Sequence, residues 1–96
     1  MAPTGAETSK DACPQLPTTP EELVETAQRC EAAGAAMVHG HVRDDAHRPT
    51  LDGRRLMDTV AALRESTDLV VQLSTGGSVH DPLEMRLKVL DAQPDA

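Results

Sequence analysis

Apolar residues recur along this chain at two spacings, and the segments of each kind alternate. In two segments they return every three or four residues, which is the period of an amphipathic helix. The first helix is predicted over about 20–33, with apolar positions Leu23, Val24, Ala27, Cys30 and Ala33. The second is predicted over 53–66, with apolar positions Leu56, Met57, Val60 and Leu63.

Boundary residues support both helices. Thr19 can cap the first helix, Pro20 suits its first position, and Glu22 three residues after the cap completes a capping box. Gly34 is a typical helix stop. Asp52 stands where it can cap the second helix. The sequence therefore predicts both ends of the first helix and the start of the second.

Two shorter segments, 35–42 and 68–74, have the period of two that is typical of β-strands. Side chains of a strand point alternately to its two faces. One face of the first strand would carry Met37, His39, His41 and Arg43, and the other Ala36, Val38, Gly40 and Val42. One face of the second would carry Leu69, Val71 and Leu73, and the other Val70, Gln72 and Ser74.

The order of these elements indicates the fold class. A third helix is predicted from Asp81-Pro82 to about Leu90, whereas 1–17 and 91–96 show no apolar period and are predicted to be irregular. Strands that alternate with helices predict an α/β chain with a parallel sheet and right-handed crossovers. In such sheets, sites form at the C-terminal ends of the strands.

Composition limits the classes of function. The chain has 96 residues and a formal net charge of −7, which argues against a nucleic-acid partner. No segment has the length of a membrane span or the pattern of a signal peptide, so a cytoplasmic protein is expected. Phe, Tyr and Trp are absent. Because aromatic side chains supply much of a core, the chain is either an unusual small domain or a piece of a larger one.

The first predicted strand carries the candidate metal ligands. His39 and His41 would lie side by side on one face, with Arg43 just beyond them. Two neutral imidazoles at this spacing can bind one Zn²⁺ from the same side. A single strand histidine is more often a hydrogen-bonded core residue. For two on one face, the spacing alone leaves both packing and a metal or substrate site open.

A glycine-rich turn follows the second predicted strand. Ser74, Thr75 and Gly76 begin the segment Ser-Thr-Gly-Gly-Ser, whose amides and hydroxyls could hold an anion. The segment matches neither dinucleotide nor phosphate-loop patterns, which argues against a nucleotide-binding domain. A merely structural turn is the alternative. Since both strands would end on one rim, the turn and the histidines are expected to share a site.

Several segments together carry a family resemblance. They occur in order and at suitable intervals over about 2–95: Pro3-Thr-Gly-Ala-Glu7, Thr19-Pro-Glu-Glu22, Ala33-Gly-Ala-Ala36, His39-Gly-His-Val-Arg-Asp44, Pro49-Thr-Leu-Asp52, Gln72-Leu-Ser-Thr-Gly-Gly77 and Arg86-Leu87. The chain resembles the N-terminal part of the β-keto acid cleavage enzymes, the family of 3-keto-5-aminohexanoate cleavage enzyme.

This resemblance implies a Zn²⁺-dependent (β/α)₈ TIM barrel. It also implies an acyltransferase activity in which a β-keto acid and acetyl-CoA give acetoacetate and a new acyl-CoA. By motif, His39 and His41 match the paired zinc ligands, and Glu7 matches a substrate-contacting glutamate. Ser74 or Thr75, followed by Gly76, matches the turn that holds the substrate carboxylate. The expected fold is thus a partial barrel, with roughly the first three βα units and a truncated first strand, and 1–96 is one N-terminal fragment.

The chain departs from the family pattern in ways that affect function. The family's third ligand, a glutamate, and its downstream Arg/Asp catalytic pair have no counterpart here, and a full barrel needs about 250 residues. Glu7, Asp44 or His47 could replace the missing ligand, although nothing in the pattern requires it. We therefore expect no family activity from the chain alone, and either oligomerisation or a missing C-terminal part to cover the sheet. The alternative is a small metal- or anion-binding module without catalysis.

Overall fold

The computed structural model describes residues 1–96 and has three α-helices beside a two-stranded parallel sheet. The α/β class and the order of elements predicted from the sequence are confirmed. The elements are α1 Pro20–Ala32, β1 Met37–Gly40, α2 Gly53–Ser66, β2 Val70–Leu73 and α3 Leu83–Leu87, with a 3₁₀ helix at Lys88–Ala92. Both strands are shorter than the predicted 35–42 and 68–74, because alternation continues beyond the residues that pair.

Helix α1 begins and ends much as predicted. The Thr19 side chain accepts the Glu22 N–H at 3.1 Å, and Gly34 follows the helix with φ +104°, a conformation that favours glycine. The Glu22 carboxylate accepts the N–H of Thr18 at 3.0 Å, one residue before the cap. It also pairs with Lys10 Nζ at 2.7 Å, which ties the loop before α1 to the helix.

Helix α2 supplies the largest share of the core. Its cap is confirmed, since Asp52 accepts the Arg55 N–H at 3.0 Å. The predicted apolar stripe was wrong at Met57, which is 54% exposed, and omitted Thr59, which is buried. Thr59 can be buried because its hydroxyl donates to Arg55 O at 2.8 Å and so has a partner within the helix. The buried positions are Leu56, Thr59, Val60 and Leu63.

The two strands pair in parallel with one apolar and one mixed face. The register aligns Met37 with Val70, Val38 with Val71, His39 with Gln72, and Gly40 with Leu73. The predicted alternation is confirmed for Val38, Val42, Leu69, Val71 and Leu73, which lie in the core. Ala36, expected on the same face as Val38, is exposed. On the opposite face, Met37 and Val70 are 38% and 40% exposed. Met37, which precedes His39 on this face, and Val70, which precedes Gln72, are therefore open to solvent.

Each outer edge of the sheet carries one further residue in parallel pairing. On the β1 side, the Met1 ammonium donates to Met37 O at 2.9 Å and the His39 N–H donates to Met1 O at 2.7 Å. On the β2 side, the Ala96 N–H donates to Val71 O at 3.2 Å and the Leu73 N–H donates to Ala96 O at 3.3 Å. Both edges of the two-stranded sheet are thus partly covered by residues that run in the direction of its strands.

The last part of the chain differs from its prediction. Helix α3 ends at Leu87 and continues as a 3₁₀ helix, so the single helix expected from 81 to about 90 was wrong in length and type. The tail, expected to lack structure, is held by Asp95, whose carboxylate accepts the Val71 N–H and the Arg64 guanidinium, each at 2.8 Å. These contacts are long-range, and a local pattern does not report them. Among the helices of the structure, none combines the length and apolar character needed to cross a membrane.

Candidate functional site

His39 and His41 lie side by side at the C-terminal end of β1, as their spacing predicted. Their ring centroids are 4.9 Å apart, and the ring planes meet at 70°. Both side chains are partly exposed, whereas Val38, Gly40 and Val42 between and around them are buried. The alternation of the strand thus brings two imidazoles to one open face without a core role for either.

The two histidines differ in their surroundings. His39 Nδ1 lies 2.6 Å from the side-chain oxygen Oε1 of Gln72, its register partner on β2. The pKa of His41 is lowered from its ordinary value by burial first, and then by the neighbouring His39 and Arg43. Since the neutral imidazole is the metal-binding form, this environment favours the state in which His41 can be a ligand.

The turn after β2 reaches the same rim of the sheet. The Ser74 N–H donates to Gly40 O at 2.9 Å, which attaches the start of the turn to the end of β1. The Ser74 hydroxyl accepts the Gly76 N–H at 3.1 Å. Thr75 is exposed, and its carbonyl accepts from Arg86 Nε at 2.9 Å, which links the turn to α3. The expected proximity of this turn to the histidine strand is therefore observed.

Two adjoining clefts lie beside the end of β1 and the turn after β2. The larger, with a volume of about 340 Å³, is lined by both Glu7 and Gly76. The smaller, of about 10 Å³, is lined by His41 and Ser74. Pro49 and Gly77 line both clefts, so the cleft of Glu7 and Gly76 is a neighbour of the cleft of His41 and Ser74. His39 and Thr75 line neither cleft.

Arg43 lies apart from the open face on which its spacing had placed it. It is only 2% exposed, and its guanidinium donates to Gly5 O at 2.9 Å, His47 O at 2.9 Å and Thr8 O at 3.1 Å. Arg43 lies just after β1 and forms an isolated antiparallel backbone bridge with Pro49. Its side chain extends into the loop 1–9. Arg43 therefore binds the segment that carries Glu7 to the end of β1.

No third metal ligand joins the two histidines within the 96 residues. The structure contains no group of three His, Cys, Asp or Glu side chains arranged to hold a metal ion. Asp44 accepts the N–H groups of Ala46 and Arg48 within its own loop. His47 Nδ1 lies 2.7 Å from the Thr18 hydroxyl. Substitution of the third ligand by Glu7, Asp44 or His47 is thus not observed.

Sequence analysis named Gln72 as a strand residue and as the first residue of the segment 72–77, but gave it no role at the site. Alternation placed it on the face opposite to the one that carries Val71 and Leu73. Its contact with His39 depends on the register between β1 and β2, which no local pattern specifies. Gln72 is the one hydrophilic residue in the apolar strand β2, and this feature could have marked it as a candidate site residue.

Comparison with known proteins identifies relatives over nearly the whole chain. The sequence profile described as beta-keto acid cleavage enzyme matches residues 1–96. The chain is 38% identical over 92 residues to the 3-keto-5-aminohexanoate cleavage enzyme of Fusobacterium nucleatum, and 39% identical over 92 residues to that of Acetoanaerobium sticklandii. Each match covers 95% of this chain and 34% of the relative.

A third relative carries a different name. The 3,5-dioxohexanoate:acetyl-CoA acetone transferase of Paraburkholderia graminis is 38% identical over 88 residues, which cover 91% of this chain and 28% of that protein. The chain thus spans about a third of the length of the curated relatives it matches. The names of the relatives share chemistry on keto acids and differ in the substrate.

Proposed function

We propose, since this chain belongs to the beta-keto acid cleavage enzyme family, that it provides the zinc-binding histidines and part of the keto-acid site of such an enzyme. The reaction would convert a β-keto acid and acetyl-CoA into acetoacetate and a new acyl-CoA. The observation that carries this proposal is the convergence of His39, His41 and the Ser74 turn on one rim of a parallel sheet.

The histidine pair has the chemistry needed for Zn²⁺. Both side chains offer imidazole nitrogens on one open face, and the environment of His41 favours its uncharged form. His39 and His41 would therefore hold the ion. When bound, zinc would act as a Lewis acid that polarises a ketone oxygen and stabilises enolate charge.

The neighbouring clefts provide groups for the remainder of the substrate. The hydroxyl of Ser74 or Thr75 would bind the substrate carboxylate, because both are hydrogen-bond donors at the strand end. The Gly76 N–H would join them by exchanging its hydrogen bond with Ser74 Oγ for one with the carboxylate. Glu7, which lines the larger cleft together with Gly76, would contact the substrate there. With its carboxylate held at the turn and its ketone oxygen at the histidines, the keto acid would be held in one orientation.

The sheet supports the proposal that this chain forms part of a (β/α)₈ barrel. Its two strands are parallel and connected through α2, and both outer edges pair with residues that run in the same direction. The 1–96 segment would then form one N-terminal fragment with roughly three βα units. The open face with Met37 and Val70 would face the barrel interior.

We propose further that the chain alone lacks the complete activity. Catalytic zinc sites usually have three protein ligands, and only two of the described side chains converge here. The remaining ligand would have to come from outside residues 1–96. The alternative function, a metal- or anion-binding module without catalysis, is favoured by the same incomplete ligand set.

The metal proposal is tested by calorimetric titration of zinc into the metal-free chain. His39→Ala and His41→Ala should each lower the affinity by at least about tenfold, since each removes one of two ligands. His80→Ala is the matched control, because His80 is exposed and only its backbone N–H is hydrogen-bonded. Equal affinities in all three variants would contradict the proposed metal site.

The catalytic proposal is tested by mixing the chain with a polypeptide that carries the later strands of a relative. Zinc-dependent formation of acetoacetate in the mixture, absent from each part alone and lost with His39→Ala, is the expected result. Tight zinc binding by the chain, with a mixture that associates but stays inactive, would instead favour the non-catalytic module.

A further inference from the structure

We infer that Gln72 is a positioning residue that holds His39 in the tautomer protonated on Nδ1 and so presents Nε2 as the donor atom. The inference rests on the proposed function and extends it, because it names a residue outside the expected ligand set. It depends on the cross-strand contact between β1 and β2, which follows from the register of the two strands.

The geometry of the contact assigns the proton. The Gln72 side-chain oxygen Oε1 lies 2.6 Å from His39 Nδ1. A carbonyl oxygen only accepts hydrogen bonds, so in this arrangement of the Gln72 amide we infer that Nδ1 carries the proton and donates it. In a neutral imidazole the other nitrogen is then unprotonated. His39 Nε2 makes no hydrogen bond within the protein, and its lone pair is therefore free for a ligand.

The backbone holds this contact in place. His39 and Gln72 are direct partners in the parallel register, and both strands have buried neighbours on each side of these residues. Val38 and Val71 are fully buried, so neither strand can shift by one residue without moving a core side chain to solvent. His41 has no comparable partner, which makes His39 the better-oriented member of the pair.

A fixed tautomer has a direct consequence for a metal ligand. Histidines that bind metals usually donate their second ring N–H to an acceptor, and the loss of that acceptor typically costs roughly 10- to 100-fold in metal affinity. Gln72 occupies the acceptor position through the fold of the chain itself. The orientation of His39 is therefore set before an ion arrives.

The test reads the tautomer directly in the metal-free chain. Long-range ¹⁵N–¹H NMR of the imidazole nitrogens, at a pH where both rings are neutral, should show His39 protonated on Nδ1. Gln72→Leu should shift the proton of His39 towards Nε2, whereas Gln72→Glu, which keeps an acceptor oxygen, should preserve Nδ1–H. Gln28→Leu is the matched control, because Gln28 lies on the exposed face of α1 and bonds only Ser66 O at 3.3 Å.

Zinc titration of the same variants separates this inference from the metal proposal. Gln72→Leu should weaken binding roughly 10- to 100-fold while Gln28→Leu leaves it unchanged. An unchanged His39 tautomer in Gln72→Leu would overturn the inference even if zinc binds tightly. A wild-type chain that shows Nδ1–H but binds no zinc would contradict the metal site and still support positioning by Gln72.

Discussion

Arg43 shows how a single buried side chain can shape this site without lining its clefts. Its guanidinium reaches three backbone carbonyls, two of them in the loop before α1, at Gly5 and Thr8. Burial lowers its pKa from the ordinary value, yet a guanidinium stays charged in proteins. Glu7 lies between those two carbonyls in sequence. Arg43 therefore fixes the segment from which Glu7 reaches the larger cleft.

Arg43→Met should lower the free energy of unfolding by about 3 kcal/mol, because three carbonyls lose a charged donor in a buried place. Amide hydrogen exchange should also accelerate at residues 5–9. Arg48→Met is the control, since the Arg48 side chain is 77% exposed and should change stability by less than about 0.5 kcal/mol. Chemical denaturation measures both. Equal losses in the two variants would show that Arg43 does not hold the loop.

For single residues, the sequence correctly predicted positions that depend on spacing along one strand. It did not predict contacts between side chains and distant parts of the chain. The i, i+2 spacing was sufficient to place His39 and His41 together. The same period assigned Arg43 to the open face, because nothing local shows that the loop 1–9 returns to cover it. The partner of His39 was missed for a related reason, since Gln72 contacts it only through the strand register.

Among the elements, the turn after β2 depends most on one residue. Gly77 has φ +52°, and a Cβ built there would overlap Asp81 Oδ2 and lie 2.8 Å from Leu51. Asp81 cannot move away freely, because its carboxylate accepts the Ser78 N–H at 2.7 Å. Leu51 packs against the core. The turn that brings Ser74 and Gly76 to the clefts is therefore built around a glycine.

Gly77→Ala should destabilise the chain by about 2 kcal/mol, because it combines an unfavourable left-handed backbone with a close contact. Gly53→Ala provides the matched comparison. Gly53 starts α2 and has no atom within 4 Å of an added Cβ, so stability should stay constant or rise by less than about 1 kcal/mol. Thermal unfolding of both variants tests this, and similar melting temperatures for the pair would refute the close contact.

Element boundaries were predictable where caps are local. Thr19 and Asp52 each accept the N–H group three residues further along the chain, so their sequences specify the starts of α1 and α2. Helix α3 lacks such a cap, since Pro82 makes no side-chain hydrogen bond. Its change to a 3₁₀ helix accompanies the burial of Val89 and Ala92, which is a tertiary contact that periodicity does not encode.

For the whole molecule, Asp95 joins parts that are distant in sequence. Its carboxylate accepts hydrogen bonds from the Val71 N–H on β2 and from the Arg64 guanidinium on α2. Asp95 therefore connects residues 93–96 to both the sheet and α2. The hydrogen bond from Val71, and then the contact with Arg64, hold the pKa of Asp95 below its ordinary value of 3.8. The charged form is thus favoured in the folded chain.

The stabilisation from Asp95 should therefore depend on pH. A carboxyl with a depressed folded pKa contributes stability above its ordinary value of 3.8 and loses it as the pH falls through the folded pKa. Asp95→Asn should be less stable than wild type at neutral pH, and the difference should shrink in acid below 3.8. Denaturation at several pH values measures it. Asp91→Asn, whose side chain has no hydrogen bond in the structure, should match wild type throughout.

The parallel pairing of Met1 with β1 constrains how the protein can be handled. Its ammonium donates to Met37 O, so any residue joined to it by a peptide bond replaces a three-hydrogen donor by a single amide N–H. The added residues would also start alongside the strand that carries both histidines. A polyhistidine tag at this end would bring competing imidazoles to the sheet edge, and zinc titrations would then report the tag as well as the protein. Zinc titrations therefore need protein from which any such tag has been cleaved.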